Sequence, residues 1–191
     1  MPRTPIVVST QLHESRGYAI TCVVDSATDE TIEDIVSIAR QSNSRGLLLP
    51  GAELTAVGIS AVRHFPELRY LSLERSTISD ESLTALGSMK SLETLSLAKT
   101  RISGEAFAEL ELPSITLLDL CETAVTDHAV THLLRFPSLG TVRLSNTHIT
   151  LAALSTLGKL PKLGIVWAQG NRINVFDLAN ASFPAKLQVM V

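Results

Sequence analysis

Two histidines, His128 and His132, have the i, i+4 spacing that brings side chains together on one side of an α-helix. Imidazoles at this spacing can bind a metal such as zinc, which takes three or four protein ligands. The helix predicted around them turns Val130 and Leu133 inward, so we expect both histidines to face solvent. They lack the Glu of an H-E-x-x-H motif and a third ligand. The pattern therefore favours a solvated helix surface over a metal site, and a metal-dependent enzyme using this pair is the less favoured alternative.

A catalytic nucleophile needs a base, and an acid that orients the base, within hydrogen-bond reach. Cys121 stands beside Glu122, and no column of histidines is predicted over it. Ser9, His13 and Glu14 fall in a segment predicted to be a cap. The ten glycines are scattered, so no phosphate-binding loop is present. These observations predict a protein that is not an enzyme and that needs no cofactor.

A repeated segment must position all of these side chains. The apolar spacing of residues 68–78, L-R-Y-L-S-L-E-R-S-T-I, returns downstream at steps of 24, 23, 24 and 24 residues. The copies begin at Leu68, Leu92, Ile115, Leu139 and Leu163. A fixed period between about 20 and 50 residues is typical of a solenoid.

The pattern L-x-x-L-x-L-x-x-(Ser/Thr/Asn)-x-(Ile/Val) resembles the leucine-rich repeat family, and the variant at residues 123–127 is similar to repeats of some bacterial proteins. The resemblance implies an α/β solenoid: a right-handed β-α superhelix with parallel strands on its concave face and helices on its convex face. It also implies a module that binds a protein or peptide on the concave face. One polar column resembles the asparagine ladder of the family, with Ser and Thr in most places: Ser76, Thr100, Thr123, Thr147 and Asn171.

The repeats divide the chain into three parts. Residues 1–43 are predicted to be an N-terminal cap, with strands near residues 6–8 and 19–24 and a helix that begins after an N-cap at Thr28 or Asp29. Residues 44–174 hold the repeats, starting with a degenerate copy that has Ala52 in the polar column. Residues 175–191 are expected to be a C-terminal cap or a truncated last repeat.

Strand residues between the buried leucines form columns on the concave face, where we expect a partner to bind. Because neighbouring strands lie about 5 Å apart, Asp119 should adjoin Arg143, and Arg143 should adjoin Trp167. A Trp beside an Arg is typical of an interface hot spot. The alternative is that Trp167 packs on Arg143 under the last strand as part of the cap. The predicted binding residues are Tyr70, Ser72, Glu74, Arg75, Thr94, Ser96, Lys99, Asp119, Glu122, Thr141, Arg143 and Trp167.

Composition narrows the choice of partner. The apolar content of 45% suffices for a continuous core, and the net charge of −3 gives no electrostatic footprint for nucleic acid or an anionic membrane. Cys22 and Cys121 belong to different repeats and should be free thiols. Together with the lack of a leader and of an 18-residue apolar run, this predicts a cytoplasmic protein. The remaining alternative is a structural scaffold or regulatory domain, associating with itself through exposed strand edges.

Overall fold

The computed structural model describes residues 11–13, 18–20, 22–181, 183–184 and 187–191. Two short strands, β1 (Gln11–His13) and β2 (Tyr18–Ile20), form an antiparallel pair. The main sheet has eight parallel strands that follow one another in chain order. These strands are β3 (Cys22–Val23), β4 (Gly46–Leu48), β5 (Tyr70–Ser72), β6 (Thr94–Ser96), β7 (Leu117–Asp119), β8 (Thr141–Arg143), β9 (Ile165–Trp167) and β10 (Gln188–Met190).

A helix or a helical turn connects each pair of consecutive strands in the main sheet. The α-helices are α1 (Ile32–Gln41), α2 (Ala56–Arg63), α3 (Asp80–Thr84), α4 (Asp127–His132), α5 (Leu151–Leu157) and α6 (Val175–Asn180). Two 3₁₀ turns complete this layer, at Glu105–Ala108 and Leu133–Arg135. None of the helices in the described ranges combines the length and apolarity needed to cross a bilayer.

The core lies between the sheet and the helical layer. The inward strand positions are fully buried, as the apolar spacing predicted, at Leu71, Leu73, Leu95, Leu97, Leu118, Leu120, Val142 and Leu144. The predicted inward helical pairs are also buried: Leu83 and Leu86, Phe107 and Leu110, Val130 and Leu133, Leu154 and Leu157. Two phenylalanine rings from neighbouring repeats, Phe107 and Phe136, meet edge to face at 6.1 Å. Each layer therefore packs on the next, as a solenoid requires.

The polar column satisfies its hydrogen bonds mostly within each repeat. Three threonine hydroxyls donate to the carbonyl oxygen three residues earlier, at 2.7–2.8 Å; the donors are Thr100, Thr123 and Thr147. Asn171 reaches the preceding layer, where its Oδ1 accepts from the Thr147 backbone N–H at 3.0 Å and its Nδ2 donates to the Leu144 carbonyl at 2.6 Å. The buried Ser76 hydroxyl has no hydrogen-bond partner among the described residues. The three threonine hydroxyls thus bond within their own repeat, and that of Thr147 also reaches Asn171 Oδ1 in the next repeat at 3.0 Å.

The start of the array differs from the prediction in one respect. The helix α1 begins at Ile32 with Thr31 in the N-cap position, later than the expected N-cap at Thr28 or Asp29. The turn that leads into it begins at Thr28, whose carbonyl accepts from the Ile32 backbone N–H at 3.0 Å and whose own N–H donates to Thr31 Oγ1 at 3.0 Å. The Asp29 side chain forms hydrogen bonds to the next repeat. Its carboxylate accepts from the backbone N–H groups of Thr55 at 2.9 Å and Gly58 at 3.1 Å. A Cβ at Gly58 would stand 2.3 Å from that carboxylate, which explains the glycine. The strand expected at residues 6–8 lies outside the described residues.

Candidate protein-binding surface

The concave face is the side of the main sheet that faces away from the helices. The strand register pairs Asp119 with Arg143 and Arg143 with Trp167, which confirms the two predicted neighbours. Arg143 Nη1 lies 3.1 Å from Asp119 Oδ2. The Arg143 side chain is 47% exposed, Trp167 is 39% exposed, and Asp119 is nearly covered. The C-terminal half of this face therefore presents a large aromatic side chain beside an ion pair.

The N-terminal half of the concave face has a floor of small side chains. Ser72, Thr94 and Ser96 point away from the core, yet each retains only 7–8% of its exposure. Thr141 is the other threonine among the predicted binding residues. It is half-buried and pairs with Leu117 on the adjoining strand. Ser72, Thr94 and Ser96 thus form a floor of short side chains on this part of the face.

Tyr70 lies beside this floor of short side chains, on the same strand as Ser72. Burial raises the pKa of the Tyr70 phenol, and the carboxylate of Asp119 raises it further, whereas the charge of Arg143 lowers it. The phenol is therefore electrostatically coupled to the same charge pair that adjoins Trp167. Tyr70, Asp119, Arg143 and Trp167 thus belong to one surface.

A turn follows each strand, and its residues carry charge along one edge of the concave face. Arg75, Lys99 and Glu122 occupy equivalent turn positions at φ of 58°, 59° and 56°. The same column also holds Ser26, Asn146 and two glycines, Gly51 and Gly170, at φ between 55° and 73°. A left-handed backbone costs a non-glycine residue about 1–2 kcal/mol. Three charged side chains thus stand at positions where the backbone favours glycine.

Ion pairs link these charges across the repeats. Lys99 Nζ lies 3.4 Å from Glu74 Oε1 and 3.8 Å from Glu122 Oε1, and Arg75 Nε lies 3.8 Å from the same oxygen of Glu74. Their side chains are 35–64% exposed. Exposed pairs of this kind add little stability. They place opposite charges side by side along this edge of the concave face.

The thiols are poorly suited to nucleophilic catalysis. Cys22 and Cys121 are both free, as predicted. Burial raises the pKa of each thiol, and for Cys121 the carboxylate of Asp119 raises it further. The thiolate is the nucleophile, so a raised pKa lowers reactivity at neutral pH.

On the helical side, the structure brings a candidate third ligand beside His128 and His132, which the sequence pattern did not reveal. Glu105, in the 3₁₀ turn of the preceding repeat, brings its Oε2 within 3.8 Å of His128 Nε2 and 3.4 Å of His132 Nε2. His128 faces solvent as predicted, with 73% of its side chain exposed, but the side chain of His132 is only 22% exposed. Glu105 occupies the position equivalent to His128, 23 residues earlier. Aligning the helical segments of successive repeats, as well as their strands, would have identified Glu105 as the neighbour of His128.

An open depression of about 580 Å³ lies near the start of the array, where Glu33, Arg40, His64 and Glu67 are among its lining residues. None of the predicted binding residues lines it.

Comparison with solved structures identifies the architecture. Internalin C2 from Listeria monocytogenes superposes with a TM-score of 0.56 at 22% identity, covering 87% of this chain and 77% of its own. The chain has a leucine-rich repeat fold. A second leucine-rich repeat structure, an internalin (inlF) from the same strain, has a TM-score of 0.51 and 18% identity over 82% of this chain, which spans half of its length. No protein-family model and no curated protein matches this leucine-rich repeat chain.

Proposed function

We propose that this leucine-rich repeat array is a non-enzymatic module that binds a protein or peptide on its concave face. The observation that carries the proposal is the exposed Trp167 beside the Asp119–Arg143 ion pair on an open sheet. Aromatic and arginine side chains dominate the energy of protein interfaces, especially where neighbouring contacts exclude water. The pairing of strands β7, β8 and β9 places these three residues side by side.

The shape of the concave face supports an extended or helical segment as the bound element. The small side chains of Ser72 and Ser96 leave room above the sheet, with Tyr70 on one side and the Glu74–Lys99 pair on the other. A partner lying across this floor would reach Arg143 and Trp167 at its far end. About 800 Å² on each partner is the size of an ordinary specific interface.

The charges of the surface favour a protein over a nucleic acid. Three acidic residues, Glu74, Asp119 and Glu122, are balanced by three basic ones, Arg75, Lys99 and Arg143. Nucleic-acid surfaces are strongly basic. A partner with a matching pattern of both charges fits this surface better than a polyanion does.

The alternatives remain predictions. Self-association through strand edges, a regulatory role and a cytoplasmic location are not needed to explain the concave surface. A thiol-dependent activity is disfavoured by the raised pKa of Cys121.

The first test is affinity capture from a lysate of the source organism, followed by titration of each captured protein. We expect Arg143→Ala with Trp167→Ala to weaken the binding of the true partner by at least about 30-fold, the effect of one hot spot. The matched control is Arg101→Ala with Leu134→Ala, since both residues are exposed and Leu134, like Trp167, is 39% exposed. A folded Arg143/Trp167 double variant that binds every captured protein as tightly as the wild type would refute the proposal.

A second variant tests the floor of short side chains on the concave face. Ser96→Tyr places a large side chain above the sheet without entering the core, because Ser96 points away from it. We expect a comparable loss of affinity with little change in the thermal unfolding midpoint. Unchanged affinity in this variant would restrict the binding surface to the Arg143–Trp167 end.

A further inference from the structure

We infer that Glu105, His128 and His132 form a binding site for one divalent transition-metal ion of the zinc class, joining two successive repeats on the helical side. The three side chains each offer one ligand atom, and these atoms all lie within 4.8 Å of one another. Two imidazoles and a carboxylate are a common ligand set for zinc.

The distances between the ligand atoms suit a tetrahedral ion. Bonds of about 2.0–2.2 Å place two ligands of a tetrahedron about 3.3–3.5 Å apart. Glu105 Oε2 lies 3.4 Å from His132 Nε2 and 3.8 Å from His128 Nε2. A small rotation of the exposed His128 ring closes the longer distance. The two rings meet edge to face with centroids 5.3 Å apart, which leaves both able to turn a nitrogen toward a shared point.

The local fold explains why Glu105 comes so close. Gly104 adopts φ of 93°, and a Cβ there would stand 2.9 Å from the Cβ of Ala129 in the next repeat. Glycine thus lets the turn approach α4 closely. The 3₁₀ turn at Glu105–Ala108 follows directly, and it spans more length per residue than an α-helix does. The result places Glu105 directly beside the two histidines.

His132 carries an unmet requirement that a metal would satisfy. Its Nε2 is buried and has no hydrogen-bond partner among the described residues. Glu105 is near enough for an ion pair at 3.4 Å, but the geometry is not that of a hydrogen bond. The exposed sides of His128 and Glu105 leave the fourth position of the ion open to water.

The consequence is a link between two layers of the array. Repeat arrays are stabilised by interfaces between nearest neighbours, so an ion held by residues of both repeats strengthens one such interface. The site is separate from the concave face, and its presence does not depend on the proposed partner binding.

The test is calorimetric titration of the chelator-treated protein with zinc chloride, together with NMR of the imidazole signals. We expect one zinc ion per chain, shifts confined to the His128 and His132 signals, and a rise in Tm of about 5–10 °C when zinc exceeds Kd by about 100-fold. Glu105→Gln and His128→Gln should each weaken binding by about tenfold or more. His64→Gln is the matched control, because this exposed histidine lies at the end of α2.

Two results would overturn the inference. One is a wild-type protein that takes up no zinc in the titration. The other is zinc binding that persists with unchanged affinity and stoichiometry in folded Glu105→Gln and His128→Gln, since the ion would then occupy another site. A loss caused by His64→Gln alone leads to the same conclusion.

Discussion

The carboxylate of Asp119 interacts both with Arg143 and with the segment around Cys121. Asp119 Oδ2 lies 3.1 Å from Arg143 Nη1, while its Oδ1 accepts a hydrogen bond from the Cys121 backbone N–H at 3.1 Å. Its negative charge also raises the pKa of the Cys121 thiol. Asp119 is therefore expected to hold Arg143 in position and to suppress the reactivity of the neighbouring thiol.

Thiol alkylation measures this effect in a Cys22→Ser background, where Cys121 is the remaining cysteine. Asp119→Asn removes a negative charge, so the pKa of the thiol falls, the thiolate fraction at neutral pH rises, and iodoacetamide should react several-fold faster. Glu122→Gln is the control, because Glu122 adjoins Cys121 in sequence but is not among the groups that shift its pKa. Equal rates in the Asp119→Asn variant and its parent would contradict the assigned contact.

Aspartate side chains at the beginnings of two helices form hydrogen bonds to the next repeat. Asp80, the first residue of α3, accepts hydrogen bonds from Ser103 Oγ and from the backbone N–H groups of Ser103, Gly104 and Ala106, at 2.7–3.2 Å. Asp127 begins α4 and likewise accepts from the backbone N–H and the hydroxyl of Thr150. These carboxylates satisfy the unpaired N–H groups at the start of the next helical element.

Removing such a contact should weaken the array. We expect Asp80→Ala to lower the free energy of unfolding by about 1–3 kcal/mol, since it leaves donors of the next turn without a charged acceptor. Glu81→Ala removes an adjacent exposed acidic side chain and should change the stability by no more than about 0.5 kcal/mol. Urea denaturation followed by circular dichroism compares the two. Equal losses would mean that the inter-repeat bonds add nothing.

The molecule as a whole depends on the register of its strands. Leu118 is fully buried, whereas its neighbour Leu117 is half-buried on the concave face. Because side chains alternate between faces, a shift of one residue would exchange these environments. The two leucines thus provide a matched pair within one strand.

Leu118→Ala should lower the free energy of unfolding by about 2–5 kcal/mol, the usual cost of a cavity in a packed core. Leu117→Ala should cost clearly less, because its side chain is already partly in water. Chemical denaturation of both variants measures the difference. A larger loss for Leu117→Ala would show that the register is wrong.

The sequence by itself determined the array, because its signal is periodic and local. The steps of 23 and 24 residues, the alternation in each strand and the spacing of inward helical residues such as Val130 and Leu133 predicted the fold, the core and the contact of Asp119 with Arg143. Each of these follows from regular backbone geometry that repeats along the chain.

Only the tertiary structure decided where side chains of neighbouring layers meet. The approach of Glu105 to His132, the bonds from Ser103 to Asp80 and the covering of Ser96 depend on side-chain reach and on the local backbone, such as the left-handed Gly104. Differences of one or two ångströms between layers separate a contact from a gap. Sequence spacing fixes which residues share a column, but distance across a column is set by the packing of one repeat on the next.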